Sequence, residues 1–79
     1  MKYPCPCCGY LTFEYEPNGD YDICPVCFWE DDLVQQKNPD FEGGANLVSL
    51  NQAKENFKMF GACERKYITN VRKPNEDEI

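Results

Sequence analysis

The chain has 79 residues, six of them cysteine and none histidine, with 42% hydrophobic residues and a formal charge of −6 from 8 basic against 14 acidic side chains. A chain this short makes one small domain, whose apolar core seldom supplies more than about 3–5 kcal/mol, and the lack of histidine excludes two-cysteine two-histidine fingers, serine-protease triads and cysteine-histidine dyads. Net acidity argues against nucleic acid as the primary partner, because phosphate binding draws on Lys and Arg, and no run approaches the ~18–20 apolar residues of a membrane span.

The N-terminal stretch MKYPCPCC carries one lysine and no apolar export segment. A cytoplasmic setting that keeps thiols reduced is therefore expected. Cys5-Pro6-Cys7-Cys8 and Cys24-Pro25-Val26-Cys27 are two CPxC units separated by 15 residues, the spacing of a four-cysteine zinc site. Zinc takes four ligands in a tetrahedron with zinc–sulfur distances near ~2.3 Å. A CxxC turn sets two thiolates on one side of a tight loop, so two facing loops complete the set. Each proline fixes φ near roughly −65° as the chain enters its turn. Gly9 can leave the first turn with a positive φ, and the second turn has Phe28 in that place. Cys5, Cys8, Cys24 and Cys27 are accordingly read as the ligands of one structural Zn2+, ahead of three disulfides or six ordinary reduced thiols. Cys7 either packs beside the metal or is a nucleophilic thiol made acidic by the metal's charge. Cys63 is expected to pack as a small hydrophobe.

Residues 1–30 are expected to form a zinc ribbon with a hairpin over 11–23. Leu11-Thr12-Phe13-Glu14-Tyr15-Glu16 reads as one strand, Pro17-Asn18-Gly19-Asp20 as the turn and Tyr21-Asp22-Ile23 as the return strand. Leu11, Phe13 and Tyr15 share one face by the strand period, and that face is expected to meet the C-terminal helix. Residues 31–48 read as a short helix and a Gly-rich loop. The helix lies within Phe28–Asn38, with Glu30, Asp31 and Asp32 as its solvated N-terminus and Pro39 as its stop. The Gly43-Gly44 loop lacks the glycine pattern and lysine of a phosphate cradle. Residues 49–61 predict an amphipathic helix, with Ser49 and Gln52 as a capping box, Leu50, Ala53, Phe57 and Phe60 as its apolar stripe and Gly61 as its end. Residues 62–79 read as an irregular segment with Arg65, Lys66, Arg72 and Lys73 clustered in it, followed by a polar tail that frays.

Taken together, Pro4-Cys5-Pro6-Cys7-Cys8-Gly9-Tyr10, Cys24-Pro25-Val26-Cys27-Phe28-Trp29-Glu30-Asp31-Asp32, Gly43-Gly44-Ala45-Asn46, Ser49-Leu50 and Ala53 resemble the cysteine-rich CPCC family of short bacterial proteins. The resemblance spans about Pro4 to Gly61. It implies a small zinc-binding domain with the four cysteines of the two CPxC units as ligands. It assigns no role to Trp29-Glu30-Asp31-Asp32 or to Gly43-Gly44-Ala45-Asn46, and Cys63 lies beyond it.

The expected fold class is thus small α+β, a zinc ribbon of two CPxC knuckles and a hairpin packed against a C-terminal amphipathic helix. The expected function is a non-enzymatic protein-interaction module. Structural zinc is worth about 10–16 kcal/mol in finger peptides, enough to replace a missing core. One Zn2+ on four thiolates leaves a formal −2 at the centre, which takes the total from −6 to about −8. Such a surface prefers a basic protein, for example a cationic toxin that this chain would inhibit in the manner of an immunity protein. Three other classes stay open. Cys7 could serve thiol redox chemistry or zinc trafficking, iron could stand in place of zinc, and the basic cluster with Tyr67 could form a small nucleic-acid patch.

Overall fold

Each CPxC turn reverses the chain, so the residues before and after it run antiparallel at bonding distance. In the computed structural model, which describes residues 2–79, the first turn is flanked by β1 (Tyr3–Pro4) and β2 (Leu11–Phe13). They pair antiparallel, Tyr3 opposite Phe13 and Pro4 opposite Leu11, with the register shifting between the two pairs. The second turn is flanked by an isolated antiparallel bridge between Ile23 and Glu30. Asp31 N donates to Asp22 O at 2.9 Å and Tyr21 N to Asp31 O at 3.1 Å, which extends that pairing.

The hairpin expected over 11–23 is therefore not formed. β2 pairs with β1, and Tyr21–Ile23 pairs with the segment beyond Cys27. The physical reason is that each knuckle already presents its own two flanks to each other. The Pro17–Asp20 connection is left as a loop, and it folds onto the Asp31 carboxylate, whose Oδ2 accepts from Gly19 N at 2.8 Å and Asp20 N at 3.3 Å. Of the strand face predicted to meet the helix, Phe13 is buried but Tyr15 is 74% exposed. Besides β1, β2 lies against the closing turn, Glu76–Glu78.

The helix predicted within 28–38 is confined to α1 (Leu33–Lys37). Residues 29–31 stay extended because their backbone serves the bridge to Ile23. Asp32 caps α1, its Oδ1 accepting from Gln35 N at 3.1 Å, so the acid does belong at a helix start. It is not solvated, however: Asp31 and Asp32 are both buried.

α2 (Leu50–Phe60) matches its prediction closely. Ser49 Oγ accepts from Gln52 N at 3.1 Å, and Gly61 ends the helix in the left-handed conformation with its N–H on Phe57 O at 2.9 Å. The capping box is one-sided, because the Gln52 side chain turns forward to Asn56 at 2.8 Å. Leu50 and Ala53 are buried, and Phe57 meets Tyr10 edge-on with ring centroids 6.2 Å apart. No helix of the described residues is long and apolar enough to cross a membrane.

Beyond α2 the chain straps the second knuckle. Cys63 N donates to Cys27 O at 2.7 Å and Arg72 N to Pro25 O at 3.1 Å. A single 3₁₀ turn, Arg65–Tyr67, lies between them. The tail does not fray. Its last turn, Glu76–Glu78, is held by a reciprocal Asn75–Glu78 cap, by a two-pronged Arg72–Glu78 pair at 2.8 and 2.9 Å and by Lys2 on Asp77 at 3.1 Å. Sequence polarity suggested a free tail, but one buried glutamate with an arginine in reach is enough to dock it.

Candidate metal centre

The two knuckles have one backbone design. Cys5 O accepts from Gly9 N at 2.9 Å and Cys24 O from Phe28 N at 2.8 Å, while Cys5 N and Cys24 N each donate, at 2.9 Å, to the residue five positions on, Tyr10 and Trp29. In the first, Cys7 N also points at Cys5 Sγ, 3.4 Å away. Facing each other, the knuckles bring together Cys5, Cys8, Cys24 and Cys27, whose sulfurs all lie within 4.8 Å of one another. These are the four residues that the spacing singled out.

A metal–sulfur distance near ~2.3 Å in a regular tetrahedron gives sulfur–sulfur edges of about 3.8 Å. Cys5 and Cys27 are 3.6 Å apart and Cys8 and Cys24 3.7 Å. A disulfide, at about 2.05 Å, is far shorter, and all six cysteines are free thiols. The donor set is four soft sulfurs, which suits zinc or iron and not a hard cation. The residues present therefore fit a tetrahedral thiolate metal, with Cys5, Cys8, Cys24 and Cys27 to hold it.

Electrostatics agree with the geometry. Hydrogen bonding from Cys27, then from Cys5 and Cys8, draws the Cys24 thiol well below its ordinary range. Pairing with Cys24 in turn pushes Cys5 and Cys27 above theirs. Four thiols this close can all ionise only around a cation, so metal uptake releases protons and is pH-dependent. Thr12, on β2, stands with its hydroxyl 3.1 Å from Cys24 Sγ and can donate to that thiolate. Residue spacing carries no sign of this contact, because only the first knuckle's own hairpin carries Thr12 to the second knuckle's cysteine.

A family model described as Cysteine-rich CPCC matches residues 3–78. The chain belongs to the cysteine-rich CPCC family. No curated protein matches it. The family match runs well past Gly61, where the sequence resemblance ended, so Cys63 and the docked tail lie inside the CPCC domain.

Within this CPCC chain the two motifs that had no role, Trp29–Asp32 and Gly43–Asn46, lock onto each other. Asn46 reads the backbone of Glu30 from both sides, Oδ1 accepting from its N–H at 2.9 Å and Nδ2 donating to its carbonyl at 2.7 Å. Gln35, fully buried, accepts on Oε1 from Asn46 N at 3.1 Å and Nδ2 at 3.0 Å. Its Nε2 donates to the carbonyls of Phe41, Asn46 and Val48 at 3.0–3.1 Å. Asp32 Oδ2 accepts from Ala45 N at 2.9 Å, which with Gln35 N holds its carboxyl below the usual range. Gly44 sits so close to this network that a Cβ there would be 2.7 Å from Asp32 Oδ2. The network holds the backbone of Glu30, three residues beyond Cys27.

The two remaining thiols stand outside the four-sulfur cluster. Cys7 is 8% and Cys63 0% exposed, and burial pushes the Cys63 thiol up to about 12. Cys63 is fully enclosed, whereas Cys7 borders a cavity that Cys8 also lines. The basic cluster is also largely engaged within the chain: Arg65 lies over the Phe60 ring at 4.8 Å, Lys66 stands 3.9 Å from Glu64, and Arg72 grips Glu78.

Proposed function

We propose that the chain is a zinc-stabilised domain of zinc-ribbon type that works as a non-enzymatic protein-interaction module toward a basic partner. The observation that carries this reading is the four-sulfur cluster at the heart of the core. Cysteine supplies five of the ten residues in the main buried cluster, Cys5, Cys7, Cys24, Cys27 and Cys63, and the regular elements around them are short. A metal at that place would do the work that apolar side chains do in larger domains.

The acidic surface supports a basic partner. The formal charge is −6, and two exposed tyrosines stand between acids, Glu14-Tyr15-Glu16 and Asp20-Tyr21-Asp22, with Tyr15 and Tyr21 74% and 61% exposed. Tyr21 is also held at a φ of +62°, a conformation that an unconstrained tyrosine avoids. Carboxylates flanking an open ring suit Lys and Arg, through charge and through cation–π contact.

Native mass spectrometry of the protein as purified from cells, before and after chelation, tests both parts. One zinc per chain and a co-purified basic protein that dissociates as salt rises are expected. A red iron–thiolate protein would overturn the zinc assignment. A partner whose binding ignores salt, or no partner in a pulldown, would overturn the interaction reading.

A further inference from the structure

The four sulfurs do not share one environment. Cys5, Cys24 and Cys27 are 2%, 0% and 0% exposed, whereas Cys8 is only partly buried. Cys7 and Cys8 lie on one wall of a cavity of about 430 Å³, and the facing wall is the first three turns of α2, with Lys54, Glu55 and Lys58 on it. Lys58 is shared with Glu55 at 3.3 Å, and Lys54 forms no salt bridge among the described residues. Cys5 borders a different cavity, of about 310 Å³, but that wall carries Glu16 and no ammonium group. Among the described residues the most exposed of the four ligands thus borders a cavity with cationic side chains on its far wall, which the cavity beside Cys5 lacks.

We infer, on the reading that the four cysteines hold a metal ion, that this cavity is an exchange port. A small anionic chelating ligand of the polycarboxylate class approaches along Lys54 and Lys58 and takes the place of Cys8, which is the first ligand to leave. A carboxylate oxygen of the incoming ligand forms its bond to the metal as the Cys8 sulfur bond breaks. No electrons are transferred, and the freed thiolate takes a proton from water. The lysines matter because the chain is acidic and the thiolate centre adds a formal −2, so an anion is otherwise repelled before it arrives. Local cations offset that field and raise the encounter rate.

The test follows metal release from the zinc-loaded full chain to two chelators, anionic EDTA and neutral TPEN, at low salt. Metal content is measured first. The double variant Lys54→Glu/Lys58→Glu, whose substituted side chains are exposed, should lose metal to EDTA about tenfold more slowly than wild type. Its rate to TPEN should stay unchanged. Limited alkylation of the zinc-loaded wild type, read by peptide mass spectrometry, should label Cys8 before the other five cysteines. Equal slowing with both chelators, no slowing with EDTA, or first labelling at another cysteine overturns the port. A chain that holds no metal as purified overturns the metal reading beneath it, an outcome distinct from a loaded chain that shows no preference between the chelators.

Discussion

Gly9 and Phe28 hold the same backbone position in the two knuckles, at φ of +80° and +71°, each donating its N–H to the cysteine carbonyl four residues before it. A glycine takes that conformation without penalty, whereas a residue with a Cβ is strained by roughly 1–2 kcal/mol. Phe28 is kept there by its ring, which lies against Tyr67 with centroids 4.6 Å apart.

Phe28→Ala should lose the ring contact and keep the strain, while Phe28→Gly loses the contact and relieves the strain. The glycine variant should therefore be the more stable of the two by about 1 kcal/mol, reversing the usual order of alanine over glycine. Gly9→Ala should cost about 1–2 kcal/mol although its Cβ would meet nothing within 4 Å. Denaturant titration of the metal-loaded proteins decides both, and an alanine variant at position 28 equal to or better than glycine would show that the backbone there is unstrained.

Thr12→Val removes the hydroxyl 3.1 Å from Cys24 Sγ and leaves the shape of the side chain intact. Partners that orient a ligand are commonly worth about 10–100-fold in metal affinity. The expected loss is about tenfold, measured by competition with a chromophoric chelator, with metal release on acidification moving to higher pH. An unchanged affinity would mean that the hydroxyl does not donate to the thiolate.

Asn46→Ala strips both backbone groups of Glu30 of their partner and takes from Gln35 Oε1 one of its two donors. Leaving buried polar groups unmatched costs about 1–3 kcal/mol each, so a loss of about 3 kcal/mol is expected in thermal or chemical unfolding. Gly44→Ala should also destabilise, because its Cβ would meet Asp32 Oδ2 at 2.7 Å and Gln35 Cδ at 2.9 Å. A near-neutral Asn46→Ala would show that the two loops do not depend on each other.

The Arg72 guanidinium, with Asn75 N–H, holds the Glu78 carboxyl down at about 2, against about 4.3 for a free glutamate. Between those values the unfolded chain binds more protons than the folded one, so this contribution to stability rises with pH. It is complete above about 4.3 and fades as pH falls toward about 2. Glu78→Gln should be less stable than wild type at neutral pH, and the gap should narrow on acidification below about 4.3. Acid loss of metal is common to both proteins and cancels in the difference. A gap that stays constant with pH would separate Glu78 from the arginine pair.

Cys7 and Cys63 are buried and should resist alkylation in the metal-loaded chain, reacting only after chelation. Rapid labelling of Cys7 in the loaded protein would restore it as a reactive thiol.

The parts of this protein legible from its residues alone are those whose information is local. Two CPxC units with proline after the first cysteine specify two turns that each point two sulfurs the same way, and this was enough to name Cys5, Cys8, Cys24 and Cys27. Ser49 and Gly61 bracket α2 because a cap and a left-handed stop are each decided by one residue and its nearest neighbours. Pairing was not local in that sense. Leu11–Phe13 had strand character, but its partner was fixed by the knuckle that lies between it and Tyr3, so the hairpin predicted over 11–23 gave way to one pairing around each turn. The acids at 31 and 32, Gln35 and Asn46 read as ordinary polar residues, since a polar side chain is buried only where the rest of the fold brings complementary groups to it. Glu78 makes the same point at the end of the chain: its charge suggested solvent, and Arg72, placed by the strap across the second knuckle, together with Asn75 N–H made a buried carboxylate stable.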